Sequence, residues 1–109
     1  MDPSQLLKGV LSLAVLAVLA AGDGYGYDVA RRLRTGGLPE VGDASVYGTL
    51  RRLYNTGHLS SYVVASEEGP HRKYYGLNDA GRDLLEHSAK TWRAFADTMT
   101  TLLDRENAA

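Results

Sequence analysis

The chain has 109 residues, which is enough for one domain with a modest core. It contains no cysteine, which excludes disulfide bonds and cysteine-ligated metal sites and fits a reducing compartment such as the cytoplasm. The formal net charge of −1 excludes a polycation, so any affinity for nucleic acid must come from local placement of charge.

The first element is an apolar run at residues 6–21, LLKGVLSLAVLAVLAA. It has the length of a secretory signal, but Lys8, near its start, is the only base in this region and Asp2 adds an acid. The pattern favours a buried helix that begins at Pro3 and Ser4 and ends at Gly22. One small domain can hardly cover every face of such a helix, so we expect a second subunit to cover part of it.

A second helix is predicted from about Tyr25 to Thr35, with Asp23 as its cap and glycines at its end. Its spacing places Val29, Ala30 and Leu33 inward and Arg31, Arg32 and Arg34 outward. The glycines at 22, 24 and 26 do not form a dinucleotide-binding fingerprint, because the final glycine and a preceding strand are missing.

A third helix is predicted over residues 44–56, capped by Asp43 and ended by Gly57. Val46, Leu50 and Leu53 form its buried stripe, with Tyr47 and Tyr54 on either side. The opposite face carries small residues first and then polar ones: Ala44, Ser45, Gly48, Arg51, Arg52 and Asn55. Small residues allow a helix to approach another surface closely, whereas a purely solvated face would carry more Glu and Lys.

A β-ribbon follows, with strands predicted at 58–66 and 71–77 and a turn at 67–70. Leu59, Tyr62 and Val64 are the candidate packing residues of the first strand. Alternation sends Tyr74 and Tyr75 to opposite faces, so one should pack on the domain and the other should face outward.

The last element is a long helix that Asn78 can cap. Its apolar seam has the alternating spacing of a coiled coil: Leu85, Ser88, Trp92, Phe95, Met99 and Leu102. A narrow seam at the end of a small domain predicts pairing with another copy. The predicted fold is therefore mostly α with a small two-stranded β-ribbon: a winged helix-turn-helix domain at 1–77 and a C-terminal dimerisation helix at 78–109.

The residues also resemble the PadR family of bacterial transcriptional regulators, in its short branch with a single C-terminal helix. The resemblance covers about Leu7 to Leu103 and rests on GYGYDVARRL, SVYGTLRRLYNTGHL, GPHRKYYGLNDAGRDLL and the region of Trp92. Family members commonly carry proline after the tyrosine of the recognition helix, where this chain has Gly48.

A helix-turn-helix protein inserts the second helix of the motif into the major groove, and a wing can contact phosphates or the minor groove. The candidate DNA-binding residues are Ser45, Tyr47, Gly48, Thr49, Arg51, Arg52, His71, Arg72 and Lys73. The resemblance implies that the Tyr47 hydroxyl contacts a phosphate. Without the resemblance, the arginines could be solvated side chains, Tyr47 a rim residue of the core and the ribbon an ordinary exposed hairpin.

The resemblance further implies a homodimer that binds an inverted-repeat operator and usually represses transcription. It also implies a ligand cavity at the dimer interface, whose matching positions are Leu6, Gly9, Leu13, Ser88, Trp92 and Ala96. Trp92 could stack on a planar aromatic or cationic molecule there, or it could simply fill the helical seam together with Leu85, Phe95, Met99 and Leu102.

An enzyme is not expected, because the three histidines lack metal-ligand spacing and no nucleophile–base pair is visible. No cofactor is expected either. The alternative from a different class is a winged helix whose residues 44–55 contact a partner protein instead of DNA, and salt-sensitive retention on DNA separates the two.

Overall fold

The computed structural model describes residues 1–66 and 68–108, with side chains described up to Arg105; Glu67, in the predicted turn, lies outside this part. The described chain contains four helices, namely α1 (Pro3–Ala21), α2 (Gly26–Thr35), α3 (Asp43–Asn55) and α4 (Asp79–Ala108). It also contains three strands, namely β1 (Gly24–Tyr25), β2 (Leu59–Val64) and β3 (Arg72–Leu77). The prediction of a mostly helical winged domain with a long C-terminal helix is confirmed.

Helix α1 is the central helix of the core. Asp2 caps it by accepting a hydrogen bond from the Ser4 amide at 3.0 Å. Four side chains on one face are buried against the rest of the domain: Leu11, Val15, Leu16 and Leu19. By length and composition α1 could also cross a membrane, but its buried face packs against α2, α3 and β3. The opposite face of α1 is largely exposed in the single chain, as the sequence predicted.

The buried stripes of α2 and α3 are as predicted, but the caps are not. Val29, Ala30 and Leu33 are buried on α2, and Val46, Leu50 and Leu53 are buried on α3. Neither Asp23 nor Asp43 caps a helix, because α2 begins after Tyr25 and α3 after Gly42, both without a side-chain cap. Asp43 instead forms an ion pair with Arg34 across the loop between the two helices.

Two of the three arginines predicted to point outward from α2 are used within the domain. Arg32 donates from Nη2 to the Val18 carbonyl at 2.5 Å and from Nη1 to the Gly22 carbonyl at 3.0 Å. These carbonyls lie at the end of α1, where helical partners are missing, so Arg32 ties α1 to α2. Arg34 donates from Nε to the Val41 carbonyl at 3.0 Å, whereas Arg31 is exposed as predicted.

The predicted two-stranded ribbon is the larger part of a three-stranded antiparallel sheet with the order β1-β3-β2. The register places Tyr74 between Tyr25 and Tyr62. The ring centroids of these neighbours lie 5.4 Å and 5.7 Å apart, which makes an aromatic ladder across all three strands. Tyr74 is therefore half-covered by its neighbours and does not simply face outward.

The other face of the sheet packs on the core. Tyr75 lies there, 6.3 Å from the ring of Tyr54, so Tyr74 and Tyr75 occupy opposite faces as predicted. Leu59 is buried, but the prediction that Tyr62 and Val64 also pack inward is wrong, since both are exposed. The reason is alternation, because Tyr62 and Val64 have the opposite parity to Leu59.

Asp23 joins the aromatic ladder to the start of β1. Its Oδ2 accepts a hydrogen bond from the Tyr62 hydroxyl at 2.6 Å. Its carboxylate lies directly over Gly76 of β3, where any Cβ would clash with it. The residue that the sequence pattern assigned to a helix cap thus joins the two outer strands across the central one.

Helix α4 begins as predicted, because the Asn78 Oδ1 accepts from the Gly81 amide at 2.8 Å. Its first turns pack on the core through Leu84 and Leu85. Beyond them the helix extends away from the domain, which gives the described chain an elongated shape of 62 × 28 × 20 Å. The apolar side chains along this extension are exposed: Trp92, Phe95, Met99, Leu102 and Leu103.

We predict a pH-dependent contribution of the Tyr62–Asp23 contact. The hydrogen bond to Asp23 holds the pKa of Tyr62 above its ordinary value of 10.0, with smaller effects of desolvation and of the Asp23 charge. Because the pKa is raised in the folded state, the stabilisation is present below the unfolded pKa and is lost as the pH rises through the folded pKa. In alkaline ultraviolet titration, Asp23→Asn should lower the pKa of one tyrosine, and Tyr62→Phe should remove that tyrosine from the titration. If the most alkaline tyrosine persists in Tyr62→Phe, the assignment is wrong.

Candidate nucleic-acid interface

A groove of about 310 Å³ lies between the start of α2, the outer side of α3 and the wing formed by β2 and β3. Five of the predicted DNA-binding residues line it: Tyr47, Arg51, His71, Arg72 and Lys73. They come from two segments separated by about twenty residues of chain. The fold therefore brings the cationic end of the wing next to the helix predicted to enter the major groove.

Arg72 and Lys73, at the start of β3, rest on tyrosine rings. The Cζ of Arg72 lies 4.5 Å from the centroid of Tyr25. The Nζ of Lys73 lies 4.9 Å from the centroid of Tyr54 and 5.5 Å from that of Tyr75. At these distances the ring quadrupoles attract the cations, which limits the positions that the long side chains adopt.

Tyr47 forms the α3 edge of the groove. Its ring lies on the backbone of Gly26, at the first residue of α2, so closely that any Cβ there would overlap the ring. The side chain is still 41% exposed. Its packing thus leaves the residue accessible from the groove.

The charged side chains that line the groove are positive. Asp28 is held by Arg31 at 2.7 Å and by Arg32 at 3.4 Å. The hydrogen bond to Asp28 and the charge of Asp28 raise the pKa of Arg31 above its ordinary value. In the described chain, no carboxylate lies within 4.0 Å of the cationic nitrogens of Arg51, Arg72 or Lys73. The groove therefore keeps positive charge that an anion can meet.

The other four predicted DNA-binding residues lie outside the groove. Thr49 is only 5% exposed and packs with the core, so its side chain is not accessible from the surface of the single chain. Arg52 donates to the Ser12 hydroxyl of α1, which directs it away from the groove. Ser45 is exposed and Gly48 half-buried, and a Cβ at Gly48 would meet nothing within 4 Å. Helix α3 continues through Gly48 without a break.

Six residues that line the groove were not among the predicted DNA-binding residues: Tyr25, Gly26, Tyr27, Leu50, Pro70 and Tyr75. The first three belong to the GYGY stretch at 24–27, which the pattern assigned to the beginning of a helix. Glycine often marks a site of close approach, and Gly26 beneath the Tyr47 ring is such a site, but the two-residue strand before it is too short for a periodic signal.

The predicted ligand and dimer residues lie on α1 and α4, which pack against each other. Leu6 is exposed on α1 and Gly9 has open space where a Cβ would stand, while Leu13 is half-buried. On α4, Trp92 is 47% exposed, and Ser88 and Ala96 are half-buried. Leu85 packs on the core of its own domain, so it differs from the exposed seam of Phe95, Met99 and Leu102.

Comparison with known proteins places this architecture in a family. The sequence model of the transcriptional regulator PadR-like family matches residues 15–87. A PadR-like transcriptional regulator from Bacillus cereus, known from a crystal structure, has 33% sequence identity to this chain. The two structures superimpose with a TM-score of 0.80, and the match covers 91% of this chain and 96% of that one. A PadR family regulator from Eggerthella lenta is 30% identical, with a TM-score of 0.82 over 91% of this chain and 86% of that one.

The structure of Bacillus subtilis PadR in complex with operator DNA is more distant. It is 24% identical and superimposes with a TM-score of 0.67, covering 73% of this chain and 46% of that one, and it shows a shared fold. The match of the family model covers well over half of the chain, and the two closer structures agree with it. The chain therefore belongs to the PadR-like family of transcriptional regulators, whose members regulate transcription and are not enzymes.

Proposed function

We propose that this protein is a cytoplasmic repressor that binds an inverted-repeat operator as a homodimer. The observation that carries the proposal is the groove in which Tyr47 and Arg51 of α3 meet His71, Arg72 and Lys73 of the wing. These groups are donors and cations suited to phosphates, and they come together on a chain whose net charge is −1. The complex of the Bacillus subtilis relative with operator DNA supports the same type of ligand.

In the proposed complex, α3 lies in the major groove. Ser45 and Gly48, on the exposed side of α3, face base edges, and the small side chains allow close approach. Tyr47 and Arg51 contact the backbone beside the helix, and the wing residues contact phosphates farther along. Arg52 keeps its hydrogen bond to the Ser12 hydroxyl and so links α3 to α1.

The proposed dimer is formed by residues 78–109 together with the exposed face of α1, while residues 1–77 bind DNA. Trp92, Phe95, Met99 and Leu102 are all at least 40% exposed in the single chain and lie at coiled-coil spacing. So continuous a row of large apolar groups marks an interaction surface. A twofold axis would place two copies of α3 about 34 Å apart, which corresponds to one turn of DNA.

We also propose that a small planar ligand binds between the copies and releases DNA. Its site would be built from Leu6, Gly9 and Leu13 of α1 and from Ser88, Trp92 and Ala96 of α4. The exposed indole of Trp92 and its symmetry mate could enclose an aromatic ring or a delocalised cation. The absence of an acidic side chain among these six residues favours a flat, weakly charged molecule.

Arg72→Ala/Lys73→Ala should weaken binding to every duplex, because these side chains contact phosphates. The slope of log K against log salt should fall by about 0.9 for each phosphate contact that is lost. Fluorescence anisotropy with the DNA upstream of the protein's own gene, and with a duplex of unrelated sequence, measures both quantities. Arg93→Ala/Arg105→Ala removes the same charge from α4 and should leave the slope unchanged. Equal slopes for the wild type and the wing variant would contradict the proposal.

Phe95→Glu/Met99→Glu should produce monomers, because the dimer would have to bury two carboxylates in each copy. Sedimentation equilibrium should show the single-chain mass for this variant and twice that mass for the wild type. Operator affinity should fall with the loss of the dimer. Arg93→Glu, on the other side of α4, is the matched control and should remain dimeric. A wild-type protein that sediments as a monomer at micromolar concentration would exclude the dimer.

Trp92 is the only tryptophan of the chain, so its fluorescence reports on the proposed ligand site. A planar ligand such as ethidium or a flavin should quench this emission and lower operator affinity over the same concentration range. Ser88→Phe should fill the space and abolish quenching by the ligand without changing the dimer mass, and it leaves Trp92 as the only fluorescent indole. No quenching across a panel of planar molecules would indicate that Trp92 only fills the seam.

A further inference from the structure

We propose that Tyr25 and Gly26 are positioning residues that set the two edges of the DNA-binding groove. Gly26 seats Tyr47 at the α3 edge, and Tyr25 holds Arg72 at the wing edge. Neither residue needs to touch DNA for this role. The inference rests on the proposed function. It holds that Tyr25 and Gly26 together determine where the DNA-contacting side chains of the groove lie.

The contact between Gly26 and Tyr47 depends on the missing side chain. A Cβ at position 26 would overlap Cε1 and Cδ1 of the Tyr47 ring and would lie 3.1 Å from its Cζ. Real Cβ atoms do not approach so closely, so any other residue at position 26 must displace the ring. Because Tyr47 is 41% exposed, its ring can swing into solvent, and the fold can survive the change. The expected damage is therefore to the position of the tyrosine more than to the core.

The contact between Tyr25 and Arg72 depends on the third strand. Tyr25 pairs with Tyr74 in the β1–β3 register, and its ring packs 5.4 Å from that of Tyr74 and 6.5 Å from that of Tyr27. The ring is thus held from two sides and presents a face to the guanidinium of Arg72 at 4.5 Å. Arg72 is exposed at the first residue of β3. Stacking lowers the conformational entropy that Arg72 loses when it binds a phosphate.

The Gly26–Tyr47 and Tyr25–Arg72 contacts come from neighbouring residues, so the α3 edge and the wing edge of the groove are held by the same segment of chain. Tyr25 and Gly26 are adjacent, and the pairing of β1 with β3 fixes them relative to the wing. The position of Tyr47 relative to Arg72 is therefore set by the folded chain before DNA arrives.

The first test is a double-mutant cycle on Gly26 and Tyr47. Gly26→Ala should weaken binding to the upstream duplex by at least about tenfold, the usual effect of losing a hydrogen bond to a charged group. In a Tyr47→Ala background the same change should cost less than about twofold. Gly22→Ala is the matched control, because a Cβ there meets only the Arg32 side chain at 3.9 Å. Equal losses in both backgrounds would overturn the role of Gly26.

The second test compares Tyr25→Leu with Tyr25→Phe. Removing the ring should weaken DNA binding by roughly two- to fivefold, as expected for one exposed cation–π contact, while Phe should restore affinity because it keeps the ring. In an Arg72→Ala background, Tyr25→Leu should have no further effect. Tighter binding by Tyr25→Leu would show that the ring holds Arg72 back, and failure of Phe to restore affinity would show that the hydroxyl contacts DNA; either result overturns the role of Tyr25.

A measurement on the free protein separates this inference from the proposed function. The side-chain NMR signals of Arg72 should be shifted upfield by the Tyr25 ring current in the wild type and in Tyr25→Phe, but not in Tyr25→Leu. Absence of the shift in the wild type contradicts the positioning role, whatever the DNA data show. A shifted Arg72 in a protein that binds neither duplex would refute the proposed function alone.

Discussion

The site depends on the pairing of a two-residue strand, β1, with the inner strand of the wing. A two-stranded hairpin is only marginally stable by itself, and its end would move relative to the helices. Pairing with β1 adds the Tyr25–Tyr74–Tyr62 ladder, and the Asp23–Tyr62 hydrogen bond joins the outer strands. Since β1 runs directly into α2, the wing is fixed to the helix-turn-helix unit, and Arg72 and Lys73 stay close to Tyr47 and Arg51.

The distribution of charge matters more than its sum. The chain is slightly acidic, yet the groove residues lack carboxylate partners in the described structure, while Asp28 and Asp43 are neutralised by arginines of α2. Arg32 is in addition committed to the carbonyls at the end of α1. Most of the arginines of α2 therefore hold the domain together. Because these arginines bind groups of the domain itself, only a few cationic side chains can bind a polyanion. Composition alone therefore argues neither for nor against a nucleic-acid ligand.

The helices could be predicted because their apolar spacing is determined by burial, as for Val46, Leu50 and Leu53. The family could be predicted because motifs such as GPHRKYYGLNDAGRDLL occur at the expected positions along the chain. The partners of individual polar side chains could not be predicted, because they depend on which elements become neighbours. Asp23 and Asp43 satisfy local capping patterns but bind Tyr62 and Arg34 across the fold. In the sequence Arg52 resembles an unpaired cation on the surface of α3, but in the fold α1 brings Ser12 beside it. Strand β1 has only two residues, too few for a periodic signal.

The open space around Gly48 has an evolutionary consequence. Among the residues that the structure describes, no atom outside the helix lies within 4 Å of a Cβ at this position, so a larger side chain can be accepted without repacking the domain. The same helix buries its opposite face completely at Val46 and Leu50, where change is costly. In the proposed complex this position faces base edges, so a change at this single position would alter which bases a paralogous regulator prefers, while the scaffold that presents it stays constant.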